Sequence, residues 1–163
     1  MSSVPTRSTD SFAPASMKLE PLRVSDLNAV ISIEYAVYPF PWTRGNFTDS
    51  IESGYEAWVV HDVSGAVVGY FLMMLAIDEA HLLNITVRSD LQGRGIGRFL
   101  LEKAMDIARQ NEMQSLLLEV RPSNQRALSV YQKAGFAIIG SRKNYYPAPD
   151  NKREDALVMK LEL

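Results

Sequence analysis

Leu82-Leu83-Asn84-Ile85-Thr86-Val87-Arg88-Ser89-Asp90-Leu91-Gln92-Gly93-Arg94-Gly95-Ile96-Gly97-Arg98-Phe99 reads as a strand, a tight glycine loop and the start of a helix. Leu82 to Val87 is a short, mostly apolar run of the kind a buried strand makes. Gly93, Gly95 and Gly97 follow within five residues, and beyond them Leu100, Leu101, Ala104, Met105 and Ala108 recur at helical spacing. At such a junction the first helical amides have no partner inside the helix. The helix dipole adds partial positive charge there, and glycine lets a phosphate approach the backbone without meeting a Cβ. Arg94 and Arg98 flank the loop with two further donors. The pattern points to a phosphate or pyrophosphate carried by a substrate or cofactor.

Three familiar readings compete for this loop. A P-loop ends in Gly-Lys-Ser/Thr, whereas Gly97 is followed by Arg98. A dinucleotide loop asks for glycine at its first, third and sixth positions; Gly93 and Gly95 fit, the sixth is Arg98, and Glu119 stands for the acidic residue expected about 20 positions on. The third reading is a turn with no ligand at all.

Composition narrows the classes. With 163 residues, 47% of them hydrophobic, the chain suits one globular domain with a real core. A net charge of −2 gives no general electrostatic case for nucleic acid. No cysteine is present, which excludes disulfides and thiolate metal sites and fits a cytoplasmic protein. The two histidines, His61 and His81, are too few for a histidine-rich centre, so no metal is expected. No run of about 18 apolar residues exists to span a membrane. Residues 1–16 are rich in Ser, Thr and Pro without an apolar core segment, and read as a disordered tail rather than a secretory signal. Nothing in the pattern speaks to oligomeric state.

Taken in order, Lys18 to Arg23 reads as a first strand, with Ser25 as N-cap of a helix whose face is Leu27, Val30, Ile31 and Glu34 and whose end lies near Tyr38. Tyr38-Pro39-Phe40-Pro41-Trp42 is irregular: prolines forbid regular structure while aromatics favour burial. It is either a plug on the core or a wall of a binding site. Thr43 to Ser53 reads as a short helix stopped by Gly54, then Tyr55 to Val60, Ala66 to Ile77 and Ala80 to Val87 as strands joined by short turns, an antiparallel meander. After Gly97 come helix, strand (Ser115 to Val120), helix (Asn124 to Ala134) and strand (Phe136 to Arg142), which argues for parallel pairing at the centre of the sheet. Asn144 to Pro149 reads as a polar-aromatic loop before a last strand, Asp155 to Leu161. The fold class is α/β, a mixed, mostly antiparallel sheet with helices on both faces.

Two side chains stand out chemically. Glu119 interrupts the apolar run Leu116-Leu117-Leu118-Glu119-Val120. It is either an ion-paired carboxylate, with Arg121 or Arg88 as partner, or a general base in a cleft. Tyr131 lies seven residues, two helical turns, after Asn124, so the two share a face. It is either packed beneath its helix or a proton donor. His61 and His81 could each be a base, since histidine titrates near neutrality, but both sit at strand ends, where a solvated histidine is commoner, and they receive no role.

Gln92-x-x-Gly95-x-Gly97 directly after a strand resembles the coenzyme A pyrophosphate loop of the GNAT acetyltransferases. Asn84-Ile85-x-Val87, Leu118-Glu119-Val120-Arg121-x-Ser123-Asn124, Tyr131-x-x-x-Gly135-Phe136 and Asn144-Tyr145-Tyr146-Pro147 are together similar to the bacterial ribosomal-protein-alanine N-acetyltransferases. The likeness spans Leu19 to Leu161, and residues 1–16 fall outside it. The resemblance implies the GNAT fold over residues 17–163 and acetyl-CoA as cosubstrate. Gln92, Gly93, Arg94, Gly95, Ile96, Gly97, Arg98 and Asn124 would bind that cosubstrate. The backbone of Ile85, Thr86 and Val87, on a strand splayed from its neighbour, would pair with its acetyl and pantetheine groups. It further implies Glu119 as proton acceptor, Tyr131 as proton donor, and Phe40, Trp42, Tyr145 and Tyr146 around the acceptor peptide. The implied activity is acetylation of the N-terminal alanine of a small-subunit ribosomal protein. Direct attack in a ternary complex fits, since no cysteine exists to carry an acetyl group. An acetyltransferase for lysine or a small amine, a non-catalytic acetyl-CoA binder and a nicotinamide enzyme are the alternatives.

Overall fold

Alternating apolar side chains and short turns build the strands of one sheet. The structure, a computed structural model, describes residues 16–163, so the expected tail falls outside it except for Ser16. The strands are β1 (Lys18–Pro21), β2 (Glu56–His61), β3 (Val67–Ala76), β4 (Glu79–Val87), β5 (Ser115–Val120), β6 (Ala137–Ala148) and β7 (Lys152–Glu162). The helices are α1 (Leu27–Val37), α2 (Arg44–Glu52), α3 (Ile96–Gln110) and α4 (Gln125–Lys133). The sheet has seven strands in the order β1-β2-β3-β4-β5-β7-β6. β1–β2, β2–β3, β5–β7 and β6–β7 pair antiparallel and β4–β5 parallel, the mixed arrangement expected.

The chain divides into two compact units. One comprises residues up to Met73 together with Asn84–Ala104, the other Met74–Leu83 with Met105–Leu163. In the first, Leu27, Val30 and Ile33 of α1 pack with Phe47, Val59, Tyr70 and Leu72. The stripe on α1 is centred on Val30, so Ile33 lies inside it and Ile31, expected there, is only half-buried at its margin. Ser25 is not the cap. A single 3-10 turn, Val24–Asp26, precedes α1, and the Asp26 carboxylate accepts from Arg23 N at 2.9 Å instead. α2 is capped as its sequence suggests, with Thr43 Oγ1 accepting from Asn46 N at 3.2 Å and Asn46 Oδ1 from Thr43 N at 2.9 Å. Gly69 sits inside β3 because nothing larger fits. A Cβ there would lie 2.8 Å from the Thr86 carbonyl oxygen and 2.9 Å from Leu100 Cδ1.

In the second unit, Leu116, Leu118 and Val120 of β5 are buried while Leu117 and Glu119 point to the other face. α4 begins at Asn124, whose Oδ1 accepts from Ala127 N at 3.2 Å. It ends in a Schellman turn: Phe136 N donates to Tyr131 O at 3.0 Å and Gly135 N to Gln132 O at 3.1 Å, with Gly135 at φ 106°. The expected loop at Asn144–Pro149 is a correction. β6 continues through Ala148, its pairing with β7 shifting register between Arg142 and Tyr146 and resuming at Tyr146↔Glu154. Asn144, at φ 52°, absorbs the irregularity; its N–H donates to Asp155 Oδ1 at 2.9 Å, and the Arg153 guanidinium donates to the carbonyls of Asn144 and Tyr145. Pro147 is tolerated because β6 is an edge strand.

Candidate active site

The glycine loop opens α3 as its sequence requires. Gly93 and Gly95 take φ 80° and 89°, a left-handed backbone that side chains rarely adopt. A Cβ on Gly95 would meet nothing within 4 Å, and one on Gly97 only Val87 Cγ2 at 3.7 Å, so both glycines face open space rather than packed protein. Gln92, Gly93, Arg94 and Gly95 are exposed, whereas Ile96 is buried and anchors the first helical turn. Gln92 Nε2 donates to Val87 O at 3.2 Å and ties the loop to the end of β4. Arg98 is exposed and pairs with Glu102 one helical turn on. A cradle of bare backbone at the start of a 15-residue helix fits a pyrophosphate group.

The end of β4 is polar at its core-facing side. Its parallel register with β5 runs from Glu79↔Ser115 to Leu82↔Leu118, and Ile85, Thr86 and Val87 lie beyond that ladder. The hydroxyl of Tyr38, which the sequence gave no role, lies within hydrogen-bond distance of Ile85 O (3.2 Å) and of Thr86 Oγ1 (2.8 Å). Burial pushes the Tyr38 phenol up to about 12, the nearby Glu34 charge adding and the Thr86 hydrogen bond opposing, so Tyr38 remains a donor at neutral pH. Of the aromatic loop, Trp42 packs on Phe47 with ring centroids 5.1 Å apart, while Phe40 is 41% exposed. The loop therefore both plugs the core and presents a ring outward.

In the second unit Glu119 is 10% exposed and held from two sides. His81 Nε2 lies 3.1 Å from Oε1, and Arg142 Nε lies 2.6 Å from Oε2. The expected partners are elsewhere: Arg121 pairs with Glu154 and Arg88 with Asp90. The period of the strands explains the His81 contact. His81 is opposite Leu117 in the β4–β5 register, and Glu119, two residues further, projects from the same face. His81 lies inside β4, not at its end. The sequence gave neither His81 nor Arg142 a role beside Glu119, because only strand register brings them to it.

Tyr146 is half-buried, with the Arg121 guanidinium 4.4 Å from its ring centroid and the Tyr145 ring 5.0 Å away. Burial raises the Tyr146 phenol well above its ordinary range, and the negative charge of Glu119 raises it further. Tyr145 is 44% exposed with Arg142 over its ring. Arg121 also donates to Pro147 O at 2.9 Å, and Ser123 donates through N and Oγ to Glu154, which fixes the turn before Asn124. Desolvation works against the Glu154 charge, but the Ser123 and Arg121 hydrogen bonds outweigh it and hold the carboxyl below its usual range. Tyr131 is buried at 8% exposure with its ring 5.8 Å from Phe136.

Residues 27–136 match the Acetyltransferase (GNAT) family. The chain belongs to this family. Among its relatives, the ribosomal protein bS18-alanine N-acetyltransferase of Escherichia coli K12 is 36% identical over 87% of this chain and 95% of its own. The crystal structure of the ribosomal-protein-S18-alanine N-acetyltransferase from Escherichia coli superposes with a TM-score of 0.83 at 35% identity, covering 90% of this chain and 93% of that one. Arabidopsis thaliana Naa50, solved with the bisubstrate analogue CoA-Ac-MVNAL, shares the fold at TM-score 0.76 and 23% identity, over 91% and 99% of the two chains. The GNAT loop, Gln92 to Gly97, and Glu119 both lie within the matched span, whereas Tyr145 and Tyr146 lie beyond it. Among the described residues no helix is long and apolar enough to cross a membrane.

Proposed function

We propose that this GNAT protein transfers acetyl from acetyl-CoA to the N-terminal alanine of ribosomal protein bS18. The observation that carries the reading is the 36% identity to an enzyme of that activity over 95% of its length. The glycine cradle, with Gln92, Arg94, Arg98 and Asn124, holds the cosubstrate, and the backbone of Ile85 to Val87 orients its acetyl and pantetheine groups. Phe40, Trp42, Tyr145 and Tyr146 receive the acceptor peptide.

An α-amine has a pKa of about 8, so most of it is protonated at neutral pH and cannot attack a thioester. Glu119 takes that proton; its oxygens keep lone pairs beyond those engaged by His81 and Arg142. The freed nitrogen attacks the acetyl carbonyl and the C–N bond forms; as the C–S bond breaks the nitrogen releases its second proton to solvent and becomes the amide, and Glu119 passes its own proton to solvent. Tyr131 gives its phenolic proton to the departing sulfur, and solvent restores it. Arg142 and His81 fix the Glu119 carboxylate for the first transfer.

The test is acetyl transfer from acetyl-CoA to two short peptides, one with a free N-terminal alanine and one with that amine blocked and a lysine available. Modification of the free alanine alone is expected. Modification of lysine alone retains the fold and overturns the acceptor; modification of neither overturns the activity.

A further inference from the structure

Glu34 is a buried carboxylate that the mechanism does not use. It is 2% exposed, and among the described residues it has no cationic partner. Its partners are all neutral donors: Tyr70 Oη at 2.7 Å and Asn84 Nδ2 at 3.1 Å on Oε1, and the Trp42 N–H at 3.0 Å on Oε2. Taking a charge from water without a counter-charge is expensive, and buried ions are weak contributors to stability. A role other than stability accounts better for its place.

That role follows from where the donors lie. A carboxylate only accepts, so it forces the Asn84 amide to turn its nitrogen toward Glu34 and its oxygen toward Thr86. Thr86 Oγ1 donates to Asn84 Oδ1 at 2.7 Å, which spends its single proton. Tyr38 must then be the donor to Thr86 Oγ1 or to Ile85 O. The chain of bonds has one polarity, set at Glu34. It pins the aromatic loop at both ends, by the Trp42 amide and the Tyr38 hydroxyl, and fastens both to Asn84–Thr86 on β4.

We propose that Glu34 is a positioning residue that couples the Phe40 loop to the acetyl-binding end of β4, so that acceptor peptide and acetyl-CoA bind cooperatively. This rests on the reading above, in which Phe40 and Trp42 border the peptide and Ile85 to Val87 the acetyl group. Ordering of β4 by the cosubstrate is transmitted through Asn84 and Thr86 to both loop ends, and by linkage the peptide strengthens cosubstrate binding equally.

The experiment measures the affinity of an alanine-starting peptide by calorimetry, with and without saturating CoA. In the wild type CoA tightens peptide binding by about fivefold or more. Glu34→Gln, which sets an amide NH₂ among three donors, brings that ratio to about one. Tyr38→Phe, which leaves Glu34 intact and cuts the other tie, does the same and serves if Glu34→Gln fails to fold. Ser50→Ala removes a buried hydroxyl that donates to Asn46 O within α2 at 3.0 Å, outside this chain of bonds; it lowers the melting temperature and keeps the ratio. A wild-type ratio of one, an unchanged ratio in Tyr38→Phe or in folded Glu34→Gln, or equal loss in Ser50→Ala overturns the coupling alone, provided the wild type acetylates the peptide. A wild type that neither binds nor acetylates it overturns the functional reading and the coupling with it.

Discussion

At the scale of single residues, Glu119 is the side chain to which the proposed mechanism gives the first proton transfer. Its ion pair with Arg142 involves an arginine that is 56% exposed, and exposed pairs of this kind contribute about 0–1 kcal/mol. Removing the charge therefore threatens the reaction far more than the fold. Glu119→Gln is expected to lower kcat by about 10²–10⁴-fold, the usual worth of a general base, with CoA still bound. Turnover at neutral pH together with CoA-dependent melting checks this; an unchanged rate returns Glu119 to an ion-pairing role. An acid inside Leu116–Val120 was legible in the sequence because it breaks an apolar strand. His81 and Arg142 were not, because they come from other strands and only the pairing of β4 with β5 and of β7 with its neighbours brings them in. Glu34 was placed correctly on the buried face of its helix, but its partners were not legible for the same reason: its donors lie 8, 36 and 50 residues away in the chain.

At the scale of elements, local signals were read best where one residue type has a single physical explanation. Ser115–Val120 appears as expected because it is a short apolar run bounded by polar turns, and Gly135 ends α4 because a Schellman turn needs a left-handed residue there. β6 was cut short because Asn144 and Pro147 signal a loop locally, whereas the Asp155 and Arg153 side chains of β7 satisfy the irregular backbone and let pairing resume. Gly69 carries the converse lesson. It looks like a weak point in β3, yet it is where β3 passes closest to the Thr86 carbonyl and to Leu100 of α3. Gly69→Ala is expected to destabilise by about 1–3 kcal/mol, since backbone and a fully buried leucine must both give way. Because the displaced atoms belong to the end of β4 proposed to hold the acetyl group, the same substitution is expected to weaken CoA binding. Chemical denaturation and CoA titration of this variant measure the two effects. Wild-type stability in Gly69→Ala would show that β4 yields freely at this point.

At the scale of the whole molecule, the loop that opens α3 admits two cosubstrate classes by pattern alone, and ligand linkage separates them. A ligand that binds the folded state and not the unfolded chain stabilises by RT ln(1 + [L]/Kd), about 2.7 kcal/mol at a hundredfold excess over Kd. For a chain of this size each kcal/mol raises Tm by about 2–4 °C, so saturating CoA is expected to raise Tm by about 5–11 °C. The shift grows with the logarithm of CoA concentration, which distinguishes binding from a solvent effect. NAD offers a pyrophosphate too, but the dinucleotide loop requires glycine where Arg98 stands, with its side chain turned to solvent and paired to Glu102. NAD at the same concentration is therefore expected to leave Tm where it is. A shift with NAD that equals the shift with CoA would mean that the cradle selects only the pyrophosphate, and that specificity for acetyl-CoA must come from the backbone of β4 beyond Leu82.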